Sequence, residues 1–94
     1  MIVAILTYTV PLAEVDAHRP AHIDWLKEQY AAGVMLASGR QTPPQGGVLM
    51  LAGTRAEAEA LLAQDPFAIH GVAHYQLVEF APTMTAPGLE ALAR

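Results

Sequence analysis

The chain contains no cysteine, which removes disulfides and thiolate chemistry and leaves a reducing compartment permissible. Charged residues make up only 15% of its 94 residues. The five Lys and Arg residues are scattered, so no basic stripe exists, and with a net charge of −4 neither nucleic acid nor an anionic membrane is expected as a partner. No long hydrophobic run is present. The apolar stretch at residues 1–10 is too short to span a bilayer and lacks the basic flank and cleavage site of a secretory signal, so the expected location is cytoplasmic.

What is abundant is apolar side chain, at 53%. That fraction excludes disorder, and the length suits one core that buries roughly 60–68% of the unfolded surface. A chain this small and this apolar is expected to hide part of its surface against a second copy.

Residues 2–9 (IVAILTYT) are rich in β-branched and aromatic types and read as a strand. Pro11 and several polar residues make Val10–Arg19 a connector. Pro20 suits the first position of a helix, because its missing N–H would lack a partner there anyway. Ile23, Leu26, Tyr30 and Val34 recur at helical spacing as the inward face, with Asp24, Lys27 and Glu28 outward, and Gly33 is a natural stop. Strands follow at 34–39 and 48–52, on either side of the loop Thr42-Pro43-Pro44-Gln45-Gly46-Gly47. Thr54 and Glu57 form a capping box that opens a helix to about Gln64, with Ala58, Leu61 and Leu62 inward. Residues 72–80 make the last strand. Residues 83–94 form a tail that ends in a short helix from Gly88 to Arg94.

The order βαββαβ predicts an α+β, ferredoxin-like fold over residues 1–82, with one four-stranded antiparallel sheet and both helices on one face. The other face is left to a homodimer. Following chain direction through this topology brings His22, Ser38 to Arg40, Asp65, His70 and His74 to the same end of the sheet.

Arg19-Pro20-Ala21-His22, Gly33, Ala37-Ser38-Gly39, Asp65-Pro66-Phe67 and Gly71 together resemble the YCII-related (YciI-like) family over roughly residues 1–82. The resemblance implies a dimeric α/β barrel in which His22 and Asp65 are the active-site pair. Some relatives act on small organic molecules, among them a chlorinated hydroquinone dehydrochlorinase. This chain has Gly39-Arg40 where many relatives have Gly-Pro. It has Val78-Glu79-Phe80-Ala81-Pro82 where many close the strand with Arg, Pro and an aromatic residue. A Glu79 facing the pocket would replace a cation with an anion.

His22 near a helix start feels the positive end of the helix dipole, which suits a neutral general base, whereas a neighbouring carboxylate favours imidazolium. Its bland alternative is a histidine bonded to a backbone carbonyl. Asp65 before Pro66 would cap a short turn, and its second oxygen could orient His22. Tyr8, Ser38, Gly39, Arg40 and His74 are the expected substrate-binding residues. Tyr8 would form a wall, and Arg40 could clamp a carboxylate.

A metal site is not expected. Pro20 separates His18 from the helix that holds His22, and His70 and His74 would lie more than about 10 Å apart on a strand. Ser38 lacks the G-x-S-x-G elbow of a serine nucleophile, and Gly46-Gly47 lacks the context of a phosphate loop. Trp25 and Tyr30 are expected to pack against the sheet or a partner chain.

The function expected is a small cofactor-independent enzyme of lyase, dehydrohalogenase or isomerase type, using His/Asp acid–base chemistry on a small organic molecule. The alternatives are a non-catalytic ligand-binding or regulatory dimer, and an oxygenase that would need haem or a self-activating substrate.

Overall fold

In the computed structural model, which describes residues 1–93, strand β1 (Ile2–Tyr8) lies inside a four-stranded sheet. It pairs antiparallel with β3 (Gly46–Leu51) on one side and β4 (Ala73–Glu79) on the other. Strand β2 (Met35–Arg40) adds antiparallel to β3, with a bulge between Met35 and Ala37. The strand order β2-β3-β1-β4 is that of the ferredoxin-like α+β fold.

Side-chain alternation divides the sheet into two faces. Ile2, Ala4 and Leu6 of β1 share one face with Leu49 and Leu51 of β3 and with Met35. Val15, Trp25, Ala58, Leu62, Phe67 and Val72 complete the core there. Val3, Ile5 and Thr7, opposite Met50, Val48 and Gly46, lie on the other face, which no helix among the described residues covers. Gly46 is required by close approach: a Cβ there would stand 1.7 Å from the Leu6 carbonyl oxygen.

Ahead of the tail, four α-helices are present among the described residues rather than two. The segment read as a connector contains α1 (Leu12–Ala17), because Pro11 leads into the helix instead of preventing one, and Val15 anchors it at 0% exposure. Helix α2 (Arg19–Ala31) then begins after His18 and places Pro20 second rather than first. It ends in a Schellman motif, in which Gly33 at φ +77° donates to the Tyr30 carbonyl and Val34 to that of Gln29. The inward face of α2 also differs from the expected stripe. His22, Trp25 and Gln29 are buried, whereas Ile23 and Tyr30 are about 40% exposed. The difference has a cause at the site below, where Ile23 borders a cavity, as does Leu26, which also packs against the core.

Thr54 caps α3 (Arg55–Leu62) through the reciprocal box with Glu57, and the bonds that the Thr54 backbone N–H and hydroxyl donate to the Glu57 carboxylate hold it below the usual range. Glu79 accepts from the Arg55 backbone N–H at 3.0 Å. It therefore serves the start of α3 at the far end of the sheet and lies outside the cavity lining. The turn at Pro66 is the short helix α4 (Pro66–Ile69). After β4 the chain runs without regular structure to a 3-10 turn at Glu90–Ala93, so the expected short helix is tighter than α. Among the described residues, no helix is long and apolar enough to cross a membrane.

Candidate active site

Two helix starts meet at the end of the sheet where β1 finishes. Helix α2 carries His22 in its second turn, and its buried face directs the imidazole toward α4. Asp65 stands just before α4 because Pro66 has no N–H and fixes φ, while the Asp65 side chain caps the Phe67 N–H at 3.1 Å. The two side chains, 43 residues apart, meet with His22 Nδ1 2.7 Å from Asp65 Oδ1. Asp65 is fully buried and His22 is 6% exposed.

Donors and acceptors settle how this pair is built. The Tyr75 hydroxyl lies 2.5 Å from Asp65 Oδ2. Burial pushes the Tyr75 phenol well above its ordinary range, and its bond to the Asp65 carboxylate pushes the same way, so Tyr75 keeps its proton and donates it. The Phe67 backbone N–H also donates. A carboxylate only accepts, so its bond to His22 Nδ1 is donated by the ring. In the neutral ring, Nε2 is then the unprotonated nitrogen. It has no protein partner among the described residues and is left to the cavity that the ring borders. The Phe67 ring stacks on the imidazole at 3.9 Å and 6° between planes, and fixes its orientation.

The cavity, about 160 Å³, opens between α2 and the β1-β3-β2 side of the sheet. Leu6, Leu49, Ile23, Leu26 and Phe67 supply apolar surface, and Gly39 and Gly47 leave room at its strand side. Tyr8, Ser38 and Arg40 border it as well. Ser38 Oγ is 2.7 Å from the Tyr30 hydroxyl, which gives the half-exposed Tyr30 a role at the rim. Arg19 donates to Asp16 and to the Tyr8 hydroxyl, and its guanidinium stands 5.7 Å above the Phe67 ring centre.

Of the expected residues, the fold brings together His22, Asp65, Tyr8, Ser38, Gly39 and Arg40. It does not bring His74, which lies opposite Thr7 on the uncovered face. His18 stacks on His70, with ring centres 3.9 Å apart. Among the described residues, no three His, Asp or Glu side chains gather as metal ligands would.

The structure adds Arg19, Phe67 and Tyr75 to the site. The first two belong to the motifs Arg19-Pro20-Ala21-His22 and Asp65-Pro66-Phe67, which is the signal that points to them in the sequence. For Tyr75 the signal was fainter, a hydroxyl in step with Ala73 and Leu77 on the buried side of β4.

Comparisons with known proteins agree with this architecture. A family model described as YCII-related domain matches residues 1–81. Among solved structures, the 5-chloro-2-hydroxyhydroquinone dehydrochlorinase of Burkholderia phenoliruptrix AC1100, in complex with 2,5-dihydroxybenzoquinone, is similar with a TM-score of 0.69. The two are 19% identical, and the similarity covers 85% of this chain and 93% of that one. At this identity the likeness speaks for the fold. No curated protein matches the chain.

Proposed function

The chain belongs to the YCII-related family, and on that footing we propose that it is a small enzyme needing no cofactor, in which His22 moves a proton on a small organic molecule held in the cavity. The observation that carries this reading is the 2.7 Å bond from His22 Nδ1 to a fully buried carboxylate. That bond fixes the tautomer and orients the ring, the service an Asp performs beside a catalytic His, and leaves Nε2 as the base.

In a β-elimination, Nε2 takes a proton from carbon, the C–H electron pair becomes the new double bond, and the leaving group departs with its own bonding pair. The imidazolium, stabilised by Asp65, then returns its proton to water. In an isomerisation it returns the proton to a neighbouring carbon. The dehydrochlorinase with the similar fold gives the elimination reading its first test substrates, chlorinated hydroxyhydroquinones. On these the ring would first ketonise, a hydroxyl proton moving to the C–Cl carbon. Nε2 then takes the hydroxyl proton para to that ketone, the O–H pair becomes the second C=O as the ring double bond shifts, and chloride leaves with its bonding pair. A positioned base contributes about 10²–10⁴-fold, so His22→Ala should lower turnover by that factor while ligand still binds.

A second reading draws on the other bonds of Asp65. Its carboxylate caps α4 and accepts from Tyr75, duties that would hold the fold even without chemistry. On that reading the protein is a non-catalytic ligand-binding dimer, and wild type and His22→Ala would bind the same ligands with no turnover in either.

The protomer is further proposed to pair through the uncovered sheet face. Val3, Ile5, Val48, Met50 and Val78 lie there, and Val78 remains 45% exposed in the single chain.

A further inference from the structure

We propose that the cavity beside His22 selects a small organic carboxylate about one ring in size, and that Arg40 is the residue that reads its charge. The proposal deepens the catalytic reading above and rests on it for the role of the bound molecule, although the anion preference can be measured without any reaction.

The first observation is a local reversal of charge. The chain carries nine carboxylates against five Lys and Arg residues, for a net charge of −4. Two of those five cations, Arg19 and Arg40, line the cavity, and no Asp or Glu does. Asp65 sits behind the imidazole with both oxygens already accepting, so it presents no free acceptor to a ligand, and its charge is set one ring further from the cavity than the two guanidinium groups. A concave site lined by one sign of charge, with apolar walls, concentrates the opposite ion.

The second observation separates the two arginines. Arg19 is committed: its Nε bonds Asp16 at 2.9 Å, and one terminal nitrogen bonds the Tyr8 hydroxyl at 3.2 Å. Arg55, outside the cavity, is likewise tied to Glu59. Arg40 has neither an acceptor nor an ion-pair partner among the described residues. It stands at the end of β2 opposite Gly47, which has no side chain to compete for the space. A planar guanidinium with free N–H groups at a cavity mouth matches a carboxylate in two parallel bonds.

The third observation sets the size and the non-polar remainder of the ligand. The cavity of about 160 Å³ compares with an apolar void of about 150 Å³ that accepts one benzene molecule. Leu6, Leu49, Ile23, Leu26 and Phe67 make its walls. Inorganic anions gain nothing from such walls, whereas a ring or short branched chain does.

The test is a titration of 15N-labelled protein, followed by amide shifts, with benzoate, its neutral isostere benzamide, and inorganic phosphate. Benzoate should bind saturably, with shifts centred on Gly39, Arg40 and Gly47. Benzamide and phosphate should each bind about tenfold more weakly. Arg40→Gln should bring benzoate down to the benzamide level, and Arg40→Lys should fall between, since it keeps the charge and loses the fork. Both variants alter an exposed strand end, and their spectra report folding directly. Absence of saturable benzoate binding, equal affinity for benzoate and benzamide, phosphate as tight as benzoate, or an unaffected Arg40→Gln would each overturn the proposal. His22→Gln separates this inference from the catalytic reading. It should keep benzoate binding while losing turnover, so the base role and the anion preference can fail independently.

Discussion

Replacing Asp65 with alanine should cost far more stability than its nearest isostere, Asn. The alanine variant leaves three donors without an acceptor at once: His22 Nδ1–H, the Phe67 backbone N–H and the Tyr75 hydroxyl. Each orphaned donor costs roughly 1–3 kcal/mol when buried. The simple sum is an overestimate. Tyr75 borders a groove between α3, α4 and β4, so its hydroxyl can turn toward water. The variant also no longer buries a charge. The net expectation is about 3–4 kcal/mol, a large part of the roughly 5–14 kcal/mol typical of a chain this long. Asn keeps one oxygen for His22 and Phe67 and presents an amide that the Tyr75 hydroxyl can accept from, so Asp65→Asn should cost about 1 kcal/mol. Urea unfolding at neutral pH and one fixed protein concentration measures both, because association would otherwise shift the midpoint. Asp65→Ala within about 1 kcal/mol of wild type, or Asp65→Asn as damaging as Asp65→Ala, would refute the idea that one carboxylate organises this corner.

Tyr75 supplies a pH dependence with a definite sign. Its native proton affinity is raised above the unfolded value near pH 10, so its share of stability is intact below about pH 10. Above that the unfolded chain sheds the proton first, and stability falls as pH rises. Unfolding midpoints of wild type should drop more steeply above pH 10 than those of Tyr75→Phe; parallel slopes would mean that burial and the Asp65 bond do not raise the proton affinity of this phenol in the folded chain. Gly46→Ala drives a Cβ into the Leu6 carbonyl and should cost at least about 2 kcal/mol in chemical denaturation. Gly39→Ala meets nothing within 4 Å and should be close to neutral. Ile5→Glu puts a charge on the uncovered face and should convert a dimer to a folded monomer by sedimentation, while an unchanged mass would remove that face from the interface.

Much of this architecture can be read from local chemistry. The β-branched run at 2–9, the Thr54–Glu57 box and the Gly33 stop each have one strong physical reading, and each stands where that reading places it. Chain direction alone carried His22 and Asp65 to the same end of the sheet. Local chemistry fails where a residue serves two masters. Ile23, Leu26 and Tyr30 have the spacing of a core stripe, yet part of that stripe lines a cavity, and His22 and Gln29 take the buried positions. Pro11 and the polar residues after it read as a connector, although a proline just ahead of a helix is equally at home. His74 shows a limit of a different kind. Direction along β4 fixes which end of the sheet it occupies, but only the register with Thr7 fixes the face. The same register puts Tyr75 on the buried side, where its hydroxyl finds Asp65.

The most direct test of the central claim is the tautomer of the His22 ring, read from its 15N shifts in protein labelled at histidine. The account predicts that in the neutral ring Nδ1 carries the hydrogen and Nε2 is the unprotonated nitrogen, and that Asp65→Asn weakens this preference. A ring protonated at Nε2 in wild type, or one indifferent to Asp65→Asn, would contradict it, because no lone pair would then face the cavity under the control of Asp65.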